Sequence, residues 1–434
     1  MSVMNNFACI VLCAGQGTRM KSARSKMLHE VAGKPLCLWS LDLAAELGAK
    51  PIVAVLGYQR EQVQKVLGDS ITCVTQEQQL GTGHAVQQAI KALDDFQGRV
   101  LVLYGDTPLL KLETLQALCE ISQKSEIAML TATLQNPFGY GRIMRDSAGQ
   151  IKQIIEERDA SAEQQKICEI NPGIYVFDSE FLKKNLATLK ADNQKHEYYL
   201  TDLIALSEKP IVSMSVSEEE ILGVNDFVQM ARADKILRRR INEYWMREGV
   251  TMLDYKTTYV DAQVKLAPDV VLEQGVILRG ACKIDSGTRI AAYSVLEDAQ
   301  VGANCKIGPF ARLRPESILD ENCKIGNFVE VKKSHFGVGS KANHLAYIGD
   351  TKIGKNCNIG AGTITCNYDG VKKYETQIDD RVFVGSNTTL IAPVHLQEGC
   401  YIAAGSVINK EVPKNNLAIA RGRQENKDRK SVSS

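Results

Sequence analysis

The chain is poor in aromatic residues (6%, with two Trp), has six His, and contains no stretch of eighteen consecutive apolar residues. The last absence excludes a membrane-spanning helix on hydropathy. The opening segment MSVMNNFACIVLCAG carries no basic region ahead of a signal-type apolar core, so no export leader is expected. An excess of one charge sign is also missing. Fifty-two Lys and Arg stand against 51 Asp and Glu, which disfavours a general nucleic-acid or membrane-surface binder. The 12 cysteines include no C-x-x-C pair, which argues against a zinc ribbon or a thioredoxin-like site. Scattered along a chain without a leader, they read as reduced thiols of a cytoplasmic protein rather than a disulfide framework. What is present is 434 residues, 44% of them hydrophobic, enough for two or three packed domains.

Two grammars divide the chain. Up to about residue 225, short apolar runs alternate with helical stretches. Phe7–Leu12, Ile52–Leu56 and Val100–Tyr104 read as buried strands, and Pro35–Leu47 and Glu61–Leu67 as helices. Such alternation predicts an α/β domain with a largely parallel sheet, whose ligands sit beyond the carboxyl ends of the strands. Residues 226–248 contain neither Gly nor Pro, and Phe227, Met230, Ile236, Leu237, Ile241 and Trp245 fall roughly on one helical stripe. They predict a connecting helix, with Arg238, Arg239 and Arg240 on its solvated face.

From Val260 onward the period becomes six. Large aliphatic residues stand at 260, 266, 272, 278, 284, 290 and 296, and after a five-residue step at 301, 307, 313, 319, 325 and 331. They return at 348, 353 and 359, then at 378, 384, 390, 396, 402 and 408. Position two is often Gly, and position five is small. Cys282, Cys305, Cys323, Cys357 and Cys400 occupy that fifth position, where packing as small buried groups explains them. The pattern resembles the hexapeptide-repeat family of left-handed parallel β-helices, in which three hexads make a triangular coil and stacked coils bury the aliphatic corners.

Candidate chemistry appears in both halves. Leu12-Cys-Ala-Gly-Gln-Gly-Thr-Arg-Met20 follows the first strand. Gly15 and Gly17 would let backbone N–H groups close on phosphate, with Arg19 adding charge and Lys26 within reach of a second phosphate. The segment is neither a dinucleotide fingerprint nor a Walker loop. In the repeats, Arg314 and Lys332 share position two and differ by eighteen residues, one coil, so they stack about 4.8 Å apart. Adjacent cations are unfavourable unless an anion joins them. Tyr347 closes the coil beside that corner, and His344 lies three residues earlier on the third face. The group reads as a sugar-phosphate ledge equipped with a base.

Gly15-x-Gly-Thr-Arg19, Lys26-x-Leu28, Gln76, Leu80-Gly-Thr-Gly-His84, Tyr104-Gly-Asp106, Gly139-Tyr-Gly-Arg142, Glu156, Asn171 and Gly223-Val-Asn225 occur in that order. They resemble the sugar-nucleotide pyrophosphorylase (nucleotidyltransferase) family. With the β-helix behind them, nearly the whole chain is similar to the family of bifunctional N-acetylglucosamine-1-phosphate uridylyltransferase/glucosamine-1-phosphate N-acetyltransferases of bacterial cell-envelope synthesis. The resemblance implies a Rossmann-like uridylyltransferase domain at 1–225, a helical linker at 226–248 and an acetyltransferase β-helix at 249–434. It further implies that Arg19 and Lys26 hold triphosphate and sugar phosphate, beside Leu12, Cys13, Ala14 and Gly15. Gln76, Gly81 and Thr82 would read uracil, Tyr104 and Gly105 would flank the nucleotide, and Gly141, Glu156 and Asn171 would hold the sugar. Asp106 ends a buried strand, where a lone carboxylate is costly unless paired or bound to a cation. Mg²⁺ suits it, with Asn225 as the second implied ligand.

For the β-helix, the resemblance assigns glucosamine 1-phosphate to Arg314, Lys332, Tyr347 and Asn358, with His344 as general base. The hexad rhythm fails from Thr365 to Gln377, and a loop expelled there is a usual place for function. Ala361, Asn367, Tyr368, Ser386, Ala404 and Arg421 are implied acetyl-CoA contacts, in a homotrimer that shares those sites between neighbours. Two departures from the family pattern stand out: Cys13 where Ala is usual, and Ser25 where Pro is usual, which leaves the loop presenting Lys26 less constrained. The tail Arg421–Ser434 is polar and charged and reads as a loosely ordered end. Two other readings remain open. One is a monofunctional sugar-1-phosphate nucleotidyltransferase with an oligomerising β-helix, against which the ledge argues; the other is a structural scaffold, against which the Asp106/Asn225 pair argues.

Overall fold

A computed structural model describes residues 6–427; the final seven residues of the polar tail, 428–434, lie outside the described residues. The chain forms two compact units, Met1–Leu237 and Arg238–Ser434, and the division falls inside the helix Phe227–Arg247. Among the described residues, no helix is long and apolar enough to cross a membrane.

The first unit is built on a ten-stranded sheet. Its strands are β1 (Phe7–Cys13), β2 (Ile52–Leu56), β3 (Thr72–Thr75), β4 (Arg99–Tyr104), β5 (Ile127–Thr133), β6 (Gly141–Arg145), β7 (Ile151–Ile155), β8 (Glu169–Asn171), β9 (Tyr175–Asp178) and β10 (Val212–Ser215). Their order is β3-β2-β1-β4-β9-β5-β8-β6-β7, with β10 alongside β5. The first four strands run parallel, as the strand–helix alternation predicts. Beyond β4 the pairings are antiparallel, with β9 opposed to both β4 and β5, except that β10 runs parallel to β5. The largely parallel expectation therefore holds for one half, and the sheet as a whole is mixed. β1 is buried along its whole length, because helices cover both faces of this part of the sheet.

The second unit is a triangular β-helix of hexapeptide repeats. Among the described residues its three parallel sheets hold ten, nine and eight short strands, each pairing with the strand one coil away. Every aliphatic position read from the hexads, from Val260 to Ile408, is buried, as are the five fifth-position cysteines. Each fully buried Leu, Ile or Val contributes roughly 1.5–3 kcal/mol, so the column is the main stabilising element. The break between 331 and 348 is only apparent. Phe336 and Ala342, both 0% exposed, carry the series through, one too large and one too small to match an aliphatic template. Ile241 and Trp245 pack on the same core, whereas Phe227, assigned to the same stripe, is exposed.

Candidate active sites

In the first unit the parallel strands end level: Leu12 pairs with Tyr104 and Cys13 with Leu56. The chains leaving these ends converge so closely that small residues are required. A Cβ on Gly57 would lie 2.5 Å from the Ala14 carbonyl oxygen, and one on Gly105 would lie 2.6 Å from Cys13 Sγ. Cys13 is therefore a packing group. Burial raises its thiol pKa well above the ordinary value, so it stays protonated. Gly17 has φ +63°, and a Cβ there would meet the stem of Lys26 at 2.7 Å. That contact directs the lysine across the loop. Ser25 is buried with φ −53°, a value proline would impose, so the surrounding packing holds the loop that the missing ring leaves free.

Lys26 is the hub of the site. Its Nζ donates to Asp106 Oδ2 at 2.5 Å and to Asn225 Oδ1 at 3.2 Å. The Asp106 carbonyl accepts from Val224 N at 2.8 Å, which seats the Asn225 segment against the end of β4. Carboxylate and amide oxygens thus converge on a point that carries positive charge, and the ammonium compensates the largely buried Asp106. Two hard oxygens suit Mg²⁺, which commonly takes one or two protein ligands and completes its shell with phosphate oxygens and water. Among the described residues, no group of three or more His, Cys, Asp or Glu could hold a metal by itself.

A cleft of about 300 Å³ opens beside Lys26 and Asp106, lined also by Leu12, Ala14, Gly15, Gln76, Gly81, Thr82 and Tyr104. Its far wall is clamped by hydrogen bonds: Gly83 N to Tyr198 O at 2.8 Å, Tyr198 N to Leu80 O at 2.7 Å, and Leu200 N to Thr82 Oγ1 at 3.2 Å. Gly81 takes φ +104° with no room for a Cβ. Gln76 Nε2 donates to Gly81 O at 3.0 Å. Gln79 Nε2 donates to Ala14 O at 2.6 Å and ties this wall to the glycine loop. Arg19 sits on the turn Thr18–Met20, exposed, and does not line the cleft. Gly141, Glu156 and Asn171 form a second cluster: Asn171 pairs with Gly141 across β8 and β6, and Glu156 lies against Gly141. Burial raises the Glu156 pKa, opposed by Lys195 and by a 3.3 Å bond from Thr201 Oγ1. Tyr104 bridges cleft and cluster, its ring packed on Gly173 and its phenol pKa raised by burial and by the charges of Glu156 and Asp106.

On the β-helix the register places the groups. Leu313 pairs with Val331, so Arg314 and Lys332 follow one above the other, as the eighteen-residue spacing predicts. The next coil is shorter: Tyr347 pairs with Glu330, and His344 with Asn327. The ledge is not the bare cationic pair that the spacing suggests. Arg314 meets Glu330 at 2.9 Å and Lys332 meets Asp350 at 3.6 Å, so the chain supplies two of the anions. Lys373, from the expelled loop, adds a third cation. The proximity of the Lys332 ammonium, a like charge, pulls the Lys373 pKa down.

His344 is exposed, and its Nδ1 lies 2.7 Å from Asn327 Oδ1. That oxygen can only accept, so Nδ1 carries the proton in this contact, and Nε2 is the ring nitrogen left to accept a proton when the imidazole is neutral. This is the tautomer a general base requires. Asn327 was not legible as functional because it lies 17 residues from its partner, one short coil, in the stretch where Phe336 hides the register.

Ala361, Ser386, Ala404 and Arg421 form a column at one corner. Asn387 N donates to Ala361 O at 2.7 Å, Gly405 N to Ser386 O at 2.8 Å, and the Arg421 guanidinium to Ala404 O at 2.8 Å. Asn358 stands on the strand that leads into this corner, paired with Phe383 of the next coil. Asn367 is buried at the root of the expelled loop, and Tyr368 is exposed beyond it, its hydroxyl donating to Gly370 O at 2.5 Å. A groove of about 850 Å³ runs past Lys333, His335 and Lys373 and is lined by none of the residues assigned to acetyl-CoA.

Residues 9–170 match the MobA-like NTP transferase domain family. Residues 298–333 match the bacterial transferase hexapeptide family, and 350–372 and 376–410 the hexapeptide repeat of succinyl-transferase. The chain is 48% identical to a protein of Trichlorobacter lovleyi named "Bifunctional protein GlmU", over 97% of each chain. Proteins of the same name from Caldanaerobacter subterraneus, 46% identical over 98% of this chain and 97% of that one, and from Geobacillus sp., 45% identical over 96% of each, are similar throughout.

Proposed function

The chain belongs to the GlmU family of bifunctional proteins, and on that premise we propose that it makes UDP-N-acetylglucosamine in two steps on two domains. It is an N-acetyltransferase acting on glucosamine 1-phosphate and a uridylyltransferase acting on the acetylated product. Residues 1–225 carry the second reaction, 226–248 link the domains, and 249–434 carry the first. The observation that carries this reading is that each unit holds its own set of groups. Lys26, Asp106 and Asn225 converge at strand ends in one, and a tautomer-fixed His344 stands beside the Arg314/Lys332 ledge in the other.

In the acetyltransferase, Arg314, Lys332, Tyr347 and Asn358 bind glucosamine 1-phosphate. Ala361, Asn367, Tyr368, Ser386, Ala404 and Arg421 bind acetyl-CoA. His344 Nε2 takes a proton as the amine attacks the thioester carbonyl; the C–N bond forms, the C–S bond breaks, and the departing CoA thiolate takes up the proton that the imidazole holds. In the uridylyltransferase, a sugar-phosphate oxygen attacks the α-phosphorus of UTP and pyrophosphate departs, a reaction governed by positioning and charge neutralisation. Gln76, Gly81 and Thr82 orient the uracil, while Leu12 to Gly15, Tyr104 and Gly105 flank the nucleotide. Gly141, Glu156 and Asn171 hold the sugar. Arg19 and Lys26 hold the phosphates, Arg19 by moving inward from its exposed turn. Mg²⁺ held by Asp106 and Asn225 supplies neutralisation of the phosphate oxygens. The protein works in the cytoplasm as a homotrimer on small-molecule substrates, with no nucleic-acid or membrane partner.

A coupled assay tests the reading. CoA thiol should appear only when acetyl-CoA and glucosamine 1-phosphate are both present, and pyrophosphate only with UTP, Mg²⁺ and N-acetylglucosamine 1-phosphate. Pyrophosphate release without thiol release would reduce the protein to a nucleotidyltransferase with a structural β-helix.

A further inference from the structure

Asp350 has no part in either reaction as set out above, yet it touches both groups of residues assigned to the acetyltransferase substrates. It follows the strand Tyr347–Gly349 and takes φ +48°, a left-handed conformation that Asp and Asn tolerate better than most residues. Its side chain is 11% exposed. Oδ2 accepts a hydrogen bond from Asn367 Nδ2 and lies 3.6 Å from Lys332 Nζ. The main chain repeats both connections. Asp350 N donates to Lys332 O at 3.1 Å, and Thr376 N donates to Asp350 O at 3.1 Å. One residue thereby grips the ledge lysine and both ends of the expelled loop, Asn367 where it leaves and Thr376 where it returns. Between the two attachments, Gly349 leaves space that a Cβ would deny: it would lie 2.6 Å from the Tyr347 hydroxyl and 2.9 Å from Asn367 Nδ2.

We propose that Asp350 is a positioning residue that locks the sugar-phosphate ledge to the acetyl-CoA loop, so that the two subsites are held in one register. The proposal rests on the acetyltransferase reading above. An ionised carboxylate has enough lone pairs to serve an ammonium and an amide together, and its charge opposes the mutual repulsion of Lys332, Lys373 and Arg314. Without that charge, Lys332 loses its anchor beside a like charge and leaves the ledge. An amide at the same place keeps one acceptor oxygen for Asn367 but forms no ion pair with Lys332. An alanine holds neither.

The test is steady-state kinetics of full-length Asp350→Asn, Asp350→Ala, Lys332→Met and the Asp350→Asn/Lys332→Met double variant, with the far-UV circular dichroism and the β-helix melting transition of each variant as the check that the altered unit is folded. Asp350→Asn should raise KM for glucosamine 1-phosphate about fivefold or more while KM for acetyl-CoA stays within about twofold. Asp350→Ala should raise both. Adding Asp350→Asn to Lys332→Met should not raise KM for glucosamine 1-phosphate further, because the carboxylate acts through the lysine. Wild-type protein that releases no thiol overturns the acetyltransferase reading itself. With active wild-type protein, the positioning role is overturned if Asp350→Asn changes neither KM, raises both alike, or adds to the defect of Lys332→Met. It is equally overturned if Asp350→Ala spares the acetyl-CoA KM.

Discussion

In the cleft of the α/β unit, Lys26 meets Asp106 and Asn225 across 80 and 199 residues of sequence, whereas on the β-helix His344 meets Asn327 across 17 and Arg314 meets Glu330 across 16. The first site is assembled by loops that leave the ends of different strands and pack where Gly17, Gly57 and Gly105 leave room. The second is assembled by a ladder in which each residue's neighbour is fixed by the coil below. A cleft of the first kind depends on many distant segments arriving together. A ledge of the second kind depends on the count between two residues.

The comparison breaks if the two chemistries are not separable. Asp106→Ala removes the carboxylate paired with Lys26, and pyrophosphate release should fall about 10³-fold or more while thiol release is unchanged. An equal fall in both activities in the rate assay would mean the units are not independent. The converse change, His344→Ala, should lower thiol release by about 10²- to 10³-fold and spare pyrophosphate release.

A smaller effect sharpens the ladder argument. Asn327→Ala frees the His344 ring to adopt either tautomer and should lower thiol-release kcat by about tenfold, with KM for both substrates little changed. An unchanged kcat would show that the one-coil neighbour does not set the tautomer. The smallest effect belongs to the second cluster of the α/β unit. Burial raises the pKa of Glu156, so its ionised form is less stable in the folded protein than in the unfolded chain. Glu156→Gln should therefore raise the melting temperature of the first unit by a few degrees at pH 7. The gain should shrink as pH falls through the raised pKa and vanish below the ordinary value of 4.5, where both states hold a protonated carboxyl. Melting curves at several pH values decide this, and a gain that persists in acid would contradict it.

The two regions were also unequally legible. On the β-helix, six-residue arithmetic located the buried column, accounted for five cysteines and stacked Arg314 on Lys332 without any reference to a known family. It failed where the filler changed size, at Phe336 and Ala342, and so overlooked Asn327. It also overlooked Glu330 and Asp350, because a carboxylate one coil from a cation carries no signature of its own. In the α/β unit, the strands announced themselves as apolar runs, but the antiparallel half of the sheet did not. β8 has three residues and β9 four, too few for a period to show. That Lys26, Asp106 and Asn225 belong together was recognisable only from motifs in a known order, since nothing local to any of them encodes the other two. Their contact depends on three loops folding against one another.

The coils of the second unit follow one another at a constant rise of about 4.8 Å. In that sense the domain is a graduated scale. A side chain moved by one coil in the sequence travels one mark along the scale and keeps its compass bearing. Distances between groups on one corner are therefore quantised, and coils of 18, 17 and even 25 residues keep the same bearing, because the difference in length is taken up between the strands and not within them.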